Sequence, residues 1–210
     1  MTARSDEHRG WYTSRKLPHF DSPDVIQFIT FRLADGLPAA VLKSLKSESK
    51  RLPDVEHSYA VRAQIEVHLD RGHGCCVLTH PSMAATLRQA LQFYAGKRYE
   101  LIAWCIMPNH VHVLIKPTYS LPRIVQGWKT YTARWALQSA TTLDLQLPER
   151  GFWMRGYWDR YVRSQAHLEA SVRYIHHNPV KAKLCDYAED WAWSSAGAAR
   201  TDAATNLGCW

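Results

Sequence analysis

The sequence has no long hydrophobic run, few cysteines and no internal repeat, and each absence excludes a class of protein. A membrane-spanning helix needs about 20 consecutive apolar residues, and no such stretch occurs in the 210 residues. Residues 1–20 are polar and lack the apolar segment of a secretory signal, so we expect none. The five cysteines are scattered without a Cys-x-x-Cys pair, which argues against a disulfide scaffold or a structural zinc site. We therefore expect a globular protein of the reducing cytoplasm.

Acidic residues are also in short supply, and the balance favours a polyanionic partner. The chain carries 26 Lys and Arg against 19 Asp and Glu, a net charge of +7. It also contains nine Trp and ten Tyr, and flat rings beside cations suit phosphates and unstacked bases. Because core packing accounts for most aromatic side chains, this pattern favours nucleic acid without establishing it. The segments that combine the two residue types are Gly10–Lys16, Trp128–Tyr131 and Arg155–Arg163.

The length fits one domain with elaborations, and composition divides the chain into three parts. Residues 1–24 are predicted to form an irregular basic arm, residues 25–196 a single folded domain, and residues 197–210 a poorly ordered, Ala-rich tail. Hydrophobic periodicity predicts the main elements of the domain. They are strands over residues 25–33, 98–107 and 158–163, and helices over residues 82–95, 120–139 and 164–178.

Two further expectations concern the placement of these elements. Residues 98–107 are apolar on both faces, so this strand is expected to be central in its sheet. Ser164 is a good N-cap for the last helix, and Pro179 is expected to stop it.

Two histidines separated by one valine form the first candidate site. The segment Met107–Lys116 becomes β-branched and apolar after a Pro-Asn turn, which predicts a tight hairpin followed by a strand. Side chains alternate along a strand, so His110 and His112 share one face, about 6.6 Å apart along the chain. Two imidazoles at this spacing suit a metal ion, although strand histidines are more often ordinary hydrogen-bonded residues. The spacing leaves both interpretations open, and a metal would need further ligands from elsewhere in the chain.

A tyrosine and an asparagine one helical turn apart form the second candidate. At about 100° per residue, Tyr174 and Asn178 lie together on the flank of the apolar stripe of the last helix. His167 shares this flank, which makes it a candidate general base. An amide oxygen can complete a site of two imidazoles for a hard divalent ion, and a phenol one turn away can attack what the ion holds. A packed position at the rim of the core is the ordinary alternative for Tyr174.

Four motifs occur in a fixed order along the chain: Met107-Pro-Asn-His-Val-His-Val-Leu, Phe152-Trp-Met-Arg-Gly-Tyr-Trp-Asp-Arg-Tyr161, Tyr174-Ile-His-His-Asn-Pro-Val-Lys-Ala182 and Trp191-Ala-Trp-Ser-Ser195. Together they resemble one protein family, the REP-associated tyrosine transposases. These belong to the histidine–hydrophobe–histidine (HUH) single-strand endonucleases, together with the single-tyrosine insertion-sequence transposases. The resemblance covers roughly residues 10–196, and Lys183 departs from it by standing where glycine is usual.

The resemblance implies an α+β fold of the ferredoxin-like (RRM-like) type, the HUH endonuclease fold. In this fold helices pack on a central antiparallel sheet that carries the histidine pair. The resemblance also implies that Tyr174 is the nucleophile and that His110, His112 and Asn178 bind Mg²⁺ or Mn²⁺.

The resemblance further implies a reaction and a partner. The reaction is metal-dependent cleavage and transfer of single-stranded DNA through a covalent 5′-phosphotyrosine intermediate. The partner is single-stranded DNA with a palindromic hairpin, formed by a repetitive extragenic palindrome (REP element). The protein is then expected in the cytoplasm, at the nucleoid when bound to DNA, as a monomer or a homodimer.

Basic side chains near the aromatic segments are candidates for phosphate contact. Residues 116–134 contain four basic residues and no acidic one, which fits either a solvated face or a surface that follows a phosphate backbone. The candidate DNA-binding residues are Arg15, Lys16, Lys129, Arg134, Arg155, Arg160 and Arg163.

Two other functions fit part of the sequence. A ferredoxin-like sheet with exposed aromatic residues and basic flanks can bind RNA or DNA without cutting it, and such binding would be indifferent to chelators. A metal-dependent hydrolase of small phosphoesters would form no covalent intermediate. The order of the four motifs favours the transposase over both.

Overall fold

The computed structural model describes residues 8–14, 17–37, 41, 64–149 and 151–198. Within these ranges residues 64–70 are helical, and short 3-10 turns lie at Val77–Thr79 and Ala188–Asp190. The longer elements, in chain order, are β1 (Gly10–Ser14), β2 (Leu17–Asp21), β3 (Gln27–Arg32), α1 (Pro81–Phe93), β4 (Tyr99–Ile106), β5 (His110–Pro117), α2 (Leu121–Ser139), β6 (Trp158–Tyr161) and α3 (Gln165–Lys181).

Four strands form an antiparallel sheet in the order β4-β5-β3-β6. Because β5 lies antiparallel between β3 and β4, those two strands run in the same direction, joined by a crossover that contains α1. This split βαβ arrangement, followed by α2 and β6, is the ferredoxin-like topology, so the predicted fold class is confirmed. The register pairs His112 with Thr30 and His110 with Arg32, which places the histidine strand in the interior of the sheet.

The two faces of the sheet carry different layers because side chains alternate along each strand. On one face Val111, Val113 and Ile115 pack in the main core with residues of α1 and α2. On the other face Leu114 packs with Ile175 of α3. The histidines lie on this second face, so α3 covers them.

β4 is an edge strand, so its predicted central position is wrong. It is apolar on both faces because helices cover both faces of the sheet at this edge. Its outer edge is covered by the chain near residue 194: the Ile106 amide donates to the Trp193 carbonyl at 2.8 Å, and the Trp104 amide donates to Ser195 Oγ at 3.0 Å. Pairing with this late segment gives the edge the hydrogen bonds that a neighbouring strand would supply.

The first 24 residues are not an irregular arm where the structure describes them, because β1 and β2 form a two-stranded antiparallel hairpin. Asp21 ends the hairpin, is fully buried and accepts a 3.0 Å hydrogen bond from the Leu121 amide at the start of α2. A buried His19 pairs with Asp159 of β6. These two carboxylates fasten the hairpin to the domain, and no composition signal indicated them.

Pro179 does not stop α3, which continues to Lys181. A proline removes only its own amide donor, so a helix can continue through it when the neighbouring residues keep their hydrogen bonds. Here the Ala182 amide donates to the Asn178 carbonyl at 3.0 Å. Two residues beyond the end of the helix, Lys183 has a left-handed φ of 59°. At its other end the Ser164 side chain accepts from the His167 amide, so the predicted N-cap is confirmed.

Gly197 and Ala198, the first two residues of the predicted tail, belong to a helical turn, and residues 199–210 lie outside the described ranges. The boundaries drawn at residues 24 and 196 stay a prediction. No helix in the described part of the chain is long and apolar enough to cross a bilayer.

Candidate active site

The two histidines of β5 converge at the centre of the sheet. Both side chains are fully buried, and their Nε2 atoms lie 3.1 Å apart. The ring planes are nearly perpendicular, at 81°. The two histidines therefore share one face of the strand, as the alternation of side chains predicted, and their Nε2 atoms meet at one point.

A hydrogen bond at the far side of the His110 ring fixes the tautomer of that histidine. Asn109 Nδ2 donates to the His73 carbonyl at 3.0 Å, so Asn109 Oδ1 is the atom 2.7 Å from His110 Nδ1, which must carry the proton. His112 Nδ1 lies 2.9 Å from Thr30 Oγ1. Burial, helped by the charges of Lys181 and Arg32, lowers the pKa of His110 to about 3, so this ring is neutral near pH 7.

The outcome is that both Nε2 atoms present lone pairs rather than protons at this point. His110 Nε2 has no proton to give, and Asn178 Nδ2 donates to His112 Nε2 at 3.2 Å, so that atom also acts as an acceptor. Two acceptors facing each other at 3.1 Å are favourable only when a cation or a proton lies between them. The histidine pair is thus prepared for a positive species.

Tyr174 and Asn178 of α3 reach the same point. The Tyr174 ring contacts the His112 ring edge-on, with centroids 5.4 Å apart, and packs against Phe28 at 5.8 Å. Asn178 is 1% exposed, and its Oδ1 has no hydrogen-bond partner. The structure therefore brings together, within one chain, all four residues predicted for catalysis and metal binding.

The hydroxyl of Tyr174 donates a 3.1 Å hydrogen bond to Glu66 Oε2. Burial raises the pKa of Tyr174, and the negative charges of Glu66 and Asp70 raise it further. The Lys181 ammonium lies 5.9 Å from the centre of the Tyr174 ring. The phenol is thus protonated at neutral pH and hydrogen-bonded to a carboxylate that can take its proton.

Glu66 and Asp70 are the site residues that sequence reasoning missed. They lie four residues apart on the helical segment 64–70, so one helix face presents both carboxylates. Asp70 Oδ2 accepts from Lys181 Nζ at 2.7 Å, and Asp70 Oδ1 lies 3.8 Å from His110 Nε2. Their four-residue spacing was the only available signal, and such a spacing is typical of ordinary solvated helices.

His167 is not placed to act as the general base. Its Nε2 pairs with Arg160 Nη2 at 2.7 Å, and its Nδ1 accepts from the Arg163 amide at 3.3 Å. It shares a helix flank with Tyr174, but seven residues of helix separate them by about 10 Å along the axis. The prediction that His167 and Tyr174 share a flank of the helix is confirmed. The assignment of His167 as the general base is wrong, because the two residues lie too far apart along the helix axis.

Six of the seven candidate DNA-binding residues fall into three groups. Arg134 and Arg155 are exposed. Arg160 and Arg163 are exposed but engaged, the first with His167 and the second stacked over the Tyr161 ring at 5.2 Å. Arg15 and Lys16 lie outside the described residues.

Lys129 has an internal role. Its ammonium donates to the carbonyls of Met154 and Gly156, both at 2.7 Å. Burial lowers its pKa to about 8. These bonds tie α2 to the loop that precedes β6, so its charge is used within the fold.

The donors present are imidazole nitrogens and an amide oxygen. Among the described residues, no three His, Cys, Asp or Glu side chains form a ready-made metal cluster. The predicted residues that could hold a cation at this point are His110, His112 and the amide of Asn178.

Three comparisons agree on the relatives of this chain. A family model described as "Transposase IS200 like" matches residues 76–178, a range that contains both histidines and Tyr174 and ends at Asn178. A Haemophilus influenzae protein named "Putative REP-associated tyrosine transposase" is 31% identical over 111 residues, which span 46% of this chain and 58% of that protein.

The third comparison is structural. A solved structure of a REP-associated tyrosine transposase bound to a REP hairpin superposes with a TM-score of 0.51, covering 93% of this chain and 82% of that one. At 16% identity this likeness shows the shared fold alone. The family match over the site and the sequence relative show what the chain is similar to: the IS200-like transposases and, among them, a REP-associated tyrosine transposase.

Proposed function

We propose that the chain is a metal-dependent single-stranded DNA endonuclease and strand transferase that cleaves near REP hairpins through a covalent 5′-phosphotyrosine. One observation carries the proposal: the Tyr174 ring lies against His112, whose Nε2 faces that of His110 at 3.1 Å. Phosphodiester cleavage by a tyrosine requires a nucleophile beside donors that can bind a cation, and two unprotonated imidazole nitrogens are such donors.

The donor set fits a divalent cation such as Mg²⁺ or Mn²⁺. His110 and His112 present unprotonated nitrogens, and Asn178 Oδ1 is buried without a partner. Rotation of the Asn178 carboxamide by a half-turn would bring Oδ1 to the present position of Nδ2, beside the histidine pair. Because Oδ1 has no hydrogen-bond partner, moving it breaks no hydrogen bond of its own. The bound cation would polarise the scissile phosphate and offset the charge that builds on its non-bridging oxygens.

Tyr174 supplies the covalent chemistry. Its Oη attacks phosphorus as the bond from phosphorus to the 3′ oxygen breaks, which gives a 5′-phosphotyrosine and a 3′-hydroxyl. The phosphodiester energy is kept in the new bond, so a 3′-hydroxyl can later attack phosphorus and release the tyrosine without ATP.

Glu66 receives the proton. A free phenol has a pKa of about 10, and burial raises the pKa of Tyr174 above that, so attack requires an acceptor at the hydroxyl. Glu66 Oε2 already accepts from this hydroxyl at 3.1 Å. Proton transfer to Glu66 as phosphorus is attacked avoids a free phenolate in a buried site.

The substrate is single-stranded DNA that carries a palindromic hairpin. The positive charge of the chain and the exposed Arg134 and Arg155 support a polyanionic partner. The neighbour of known structure binds a REP hairpin, which supports the same class of substrate here. Because one chain supplies both histidines and the tyrosine, a monomer suffices for the chemistry, and the protein acts where DNA lies, at the nucleoid.

Denaturing electrophoresis of a labelled REP-hairpin oligonucleotide with Mg²⁺ tests the proposal. The wild-type protein should form a covalent adduct that EDTA prevents. Tyr174→Phe should lose the adduct and keep DNA binding, whereas Tyr187→Phe, a change at an exposed tyrosine, should match the wild type.

The other outcomes identify the alternatives. An adduct that survives in Tyr174→Phe refutes the nucleophile. Binding without cleavage in the wild type indicates a pure binding module, and cleavage without an adduct indicates a hydrolase.

A further inference from the structure

Asp70 is a buried carboxylate in the active site that has no role in the proposed reaction. Its side chain is only 8% exposed. One oxygen, Oδ2, accepts from Lys181 Nζ at 2.7 Å. The other oxygen, Oδ1, is buried without any hydrogen-bond partner.

A buried carboxylate oxygen without a partner is costly, because water has been removed and nothing replaces it. Asp70 Oδ1 faces His110 Nε2 at 3.8 Å. That nitrogen cannot donate, because the proton of His110 is on Nδ1, facing Asn109. Oδ1 therefore faces a second electron-rich atom, and only a positive species satisfies both.

Asn178 Oδ1 shows the same feature across the site. Among the described residues, both acid and amide at this centre keep one buried oxygen without a partner, beside two nitrogens that face each other. Two buried oxygens on two separate helical segments are thus left without a hydrogen-bond partner around the histidine pair. Core packing does not explain this arrangement, since ordinary buried polar atoms are paired.

We propose that Asp70 is a fourth ligand of the divalent cation, through Oδ1, beside His110, His112 and Asn178. The inference rests on the proposed function, which calls for the cation. In an octahedral site with bonds of about 2.1 Å, neighbouring donors lie about 3.0 Å apart and opposite donors about 4.2 Å. The separations of 3.1 Å between the histidine nitrogens and 3.8 Å from Asp70 to His110 fall within this range.

The charge balance supports the same assignment. Two imidazoles and an amide are neutral donors, and Mg²⁺ and Mn²⁺ prefer carboxylate oxygen. Asp70 supplies the missing negative charge. Lys181, whose side chain is 52% exposed, balances that charge before the cation binds and can then turn to solvent.

Isothermal titration of the full chain with Mn²⁺, in the absence of DNA, tests the proposal. Asp70→Asn should weaken Mn²⁺ binding by at least about tenfold. Lys181→Met should bind Mn²⁺ as tightly as the wild type or more tightly, because it removes a cation that competes for Asp70. The control for a charge effect through space is Glu66→Gln, which removes a negative charge one helical turn away and should change the affinity much less.

The double variant Asp70→Asn with Lys181→Met controls for a folding defect in Asp70→Asn. It removes both members of the ion pair, so neither is left without its partner. It should bind Mn²⁺ at least about tenfold more weakly than Lys181→Met. The proposal is overturned when Asp70→Asn keeps wild-type affinity, or when Glu66→Gln weakens binding as much. A wild-type protein that binds no Mn²⁺ contradicts the proposed function instead, whereas binding that needs the histidines and ignores Asp70 contradicts this inference alone.

Discussion

The Tyr174 hydroxyl donates its hydrogen bond to Glu66, a residue 108 positions earlier in the chain. The helical segment that carries Glu66 also carries Asp70, whose carboxylate faces His110. The nucleophile on α3 and the histidine pair on β5 are thus each in contact with the same short helix. This helix lies before residue 76, where the family match begins.

Replacement of the Glu66 carboxylate by an amide separates its role in proton transfer from its role in positioning the Tyr174 hydroxyl. Glu66→Gln keeps an oxygen that can accept from Tyr174, and removes the basic group. We expect the rate of adduct formation at neutral pH to fall by roughly a hundredfold, with unchanged affinity for the DNA hairpin. The measurement is single-turnover cleavage, with Glu169→Gln on the exposed face of α3 as the control.

The pH dependence gives a second readout of the same variant. With Glu66 in place as the proton acceptor, the rate should reach a plateau as the pH is raised. In Glu66→Gln the rate should keep rising with pH, since solvent base must then deprotonate a phenol whose pKa is raised by burial. Equal rates and equal pH profiles in the two proteins would assign Glu66 a packing role only.

Local periodicity was sufficient to predict the parts of the site that lie on single elements. Strand alternation placed His110 and His112 on one face, and helical spacing placed Tyr174 above Asn178. Both follow from backbone geometry within a few residues. Their convergence needs the sheet order and the packing of α3, and only the family resemblance supplied these.

Contacts between distant segments had no local signal. Glu66 and Asp70 occupy a helix that looks solvated in the sequence, and Asp21 reaches α2 across 100 positions. The edge position of β4 was missed for a similar reason, because a strand covered by helices on both faces has the same composition at an edge as in the centre. Burial is visible in a sequence, whereas the identity of the covering segment is not.

The buried histidine predicts a loss of stability in acid for the cation-free protein. Burial lowers the pKa of His110 from 6.5 to about 3, so between these values the unfolded chain binds a proton that the folded chain does not. The free energy of unfolding should therefore fall as the pH falls, by at most about 1.4 kcal/mol per pH unit from this group. Urea unfolding in EDTA at pH 7, 6 and 5 measures the slope.

The variant that isolates this group is His110→Asn, which fills most of the space and does not titrate. Its free energy of unfolding should depend less steeply on pH than that of the wild type over the same interval. Parallel slopes for the two proteins would show that other groups cause the acid sensitivity.

Lys183 predicts a stabilising substitution. Lys183 follows the end of α3 with a φ of 59°, in the left-handed region. This backbone conformation costs a residue with a side chain roughly 1 kcal/mol. Lys183→Gly should therefore raise the free energy of unfolding by about 0.5–1 kcal/mol, measured by urea unfolding. Lys97→Gly, at an exposed position with ordinary backbone angles, should be neutral or destabilising, and stabilisation of both variants by the same amount would argue against a backbone cause.

The basic residues predict different effects on DNA binding. Arg134 and Arg155 are exposed, so a phosphate contact by either one should contribute about 0.7 to the slope of log affinity against log salt concentration on single strands. Lys129 donates to two backbone carbonyls instead, so Lys129→Met should leave the slope unchanged and lower the unfolding temperature. Fluorescence anisotropy of a labelled REP hairpin over a salt series, in a Tyr174→Phe background that prevents cleavage, measures all three. A reduced slope in Lys129→Met would mean that its ammonium leaves the carbonyls for a phosphate when DNA binds, and unchanged slopes in both arginine variants would place the DNA on another face of the protein.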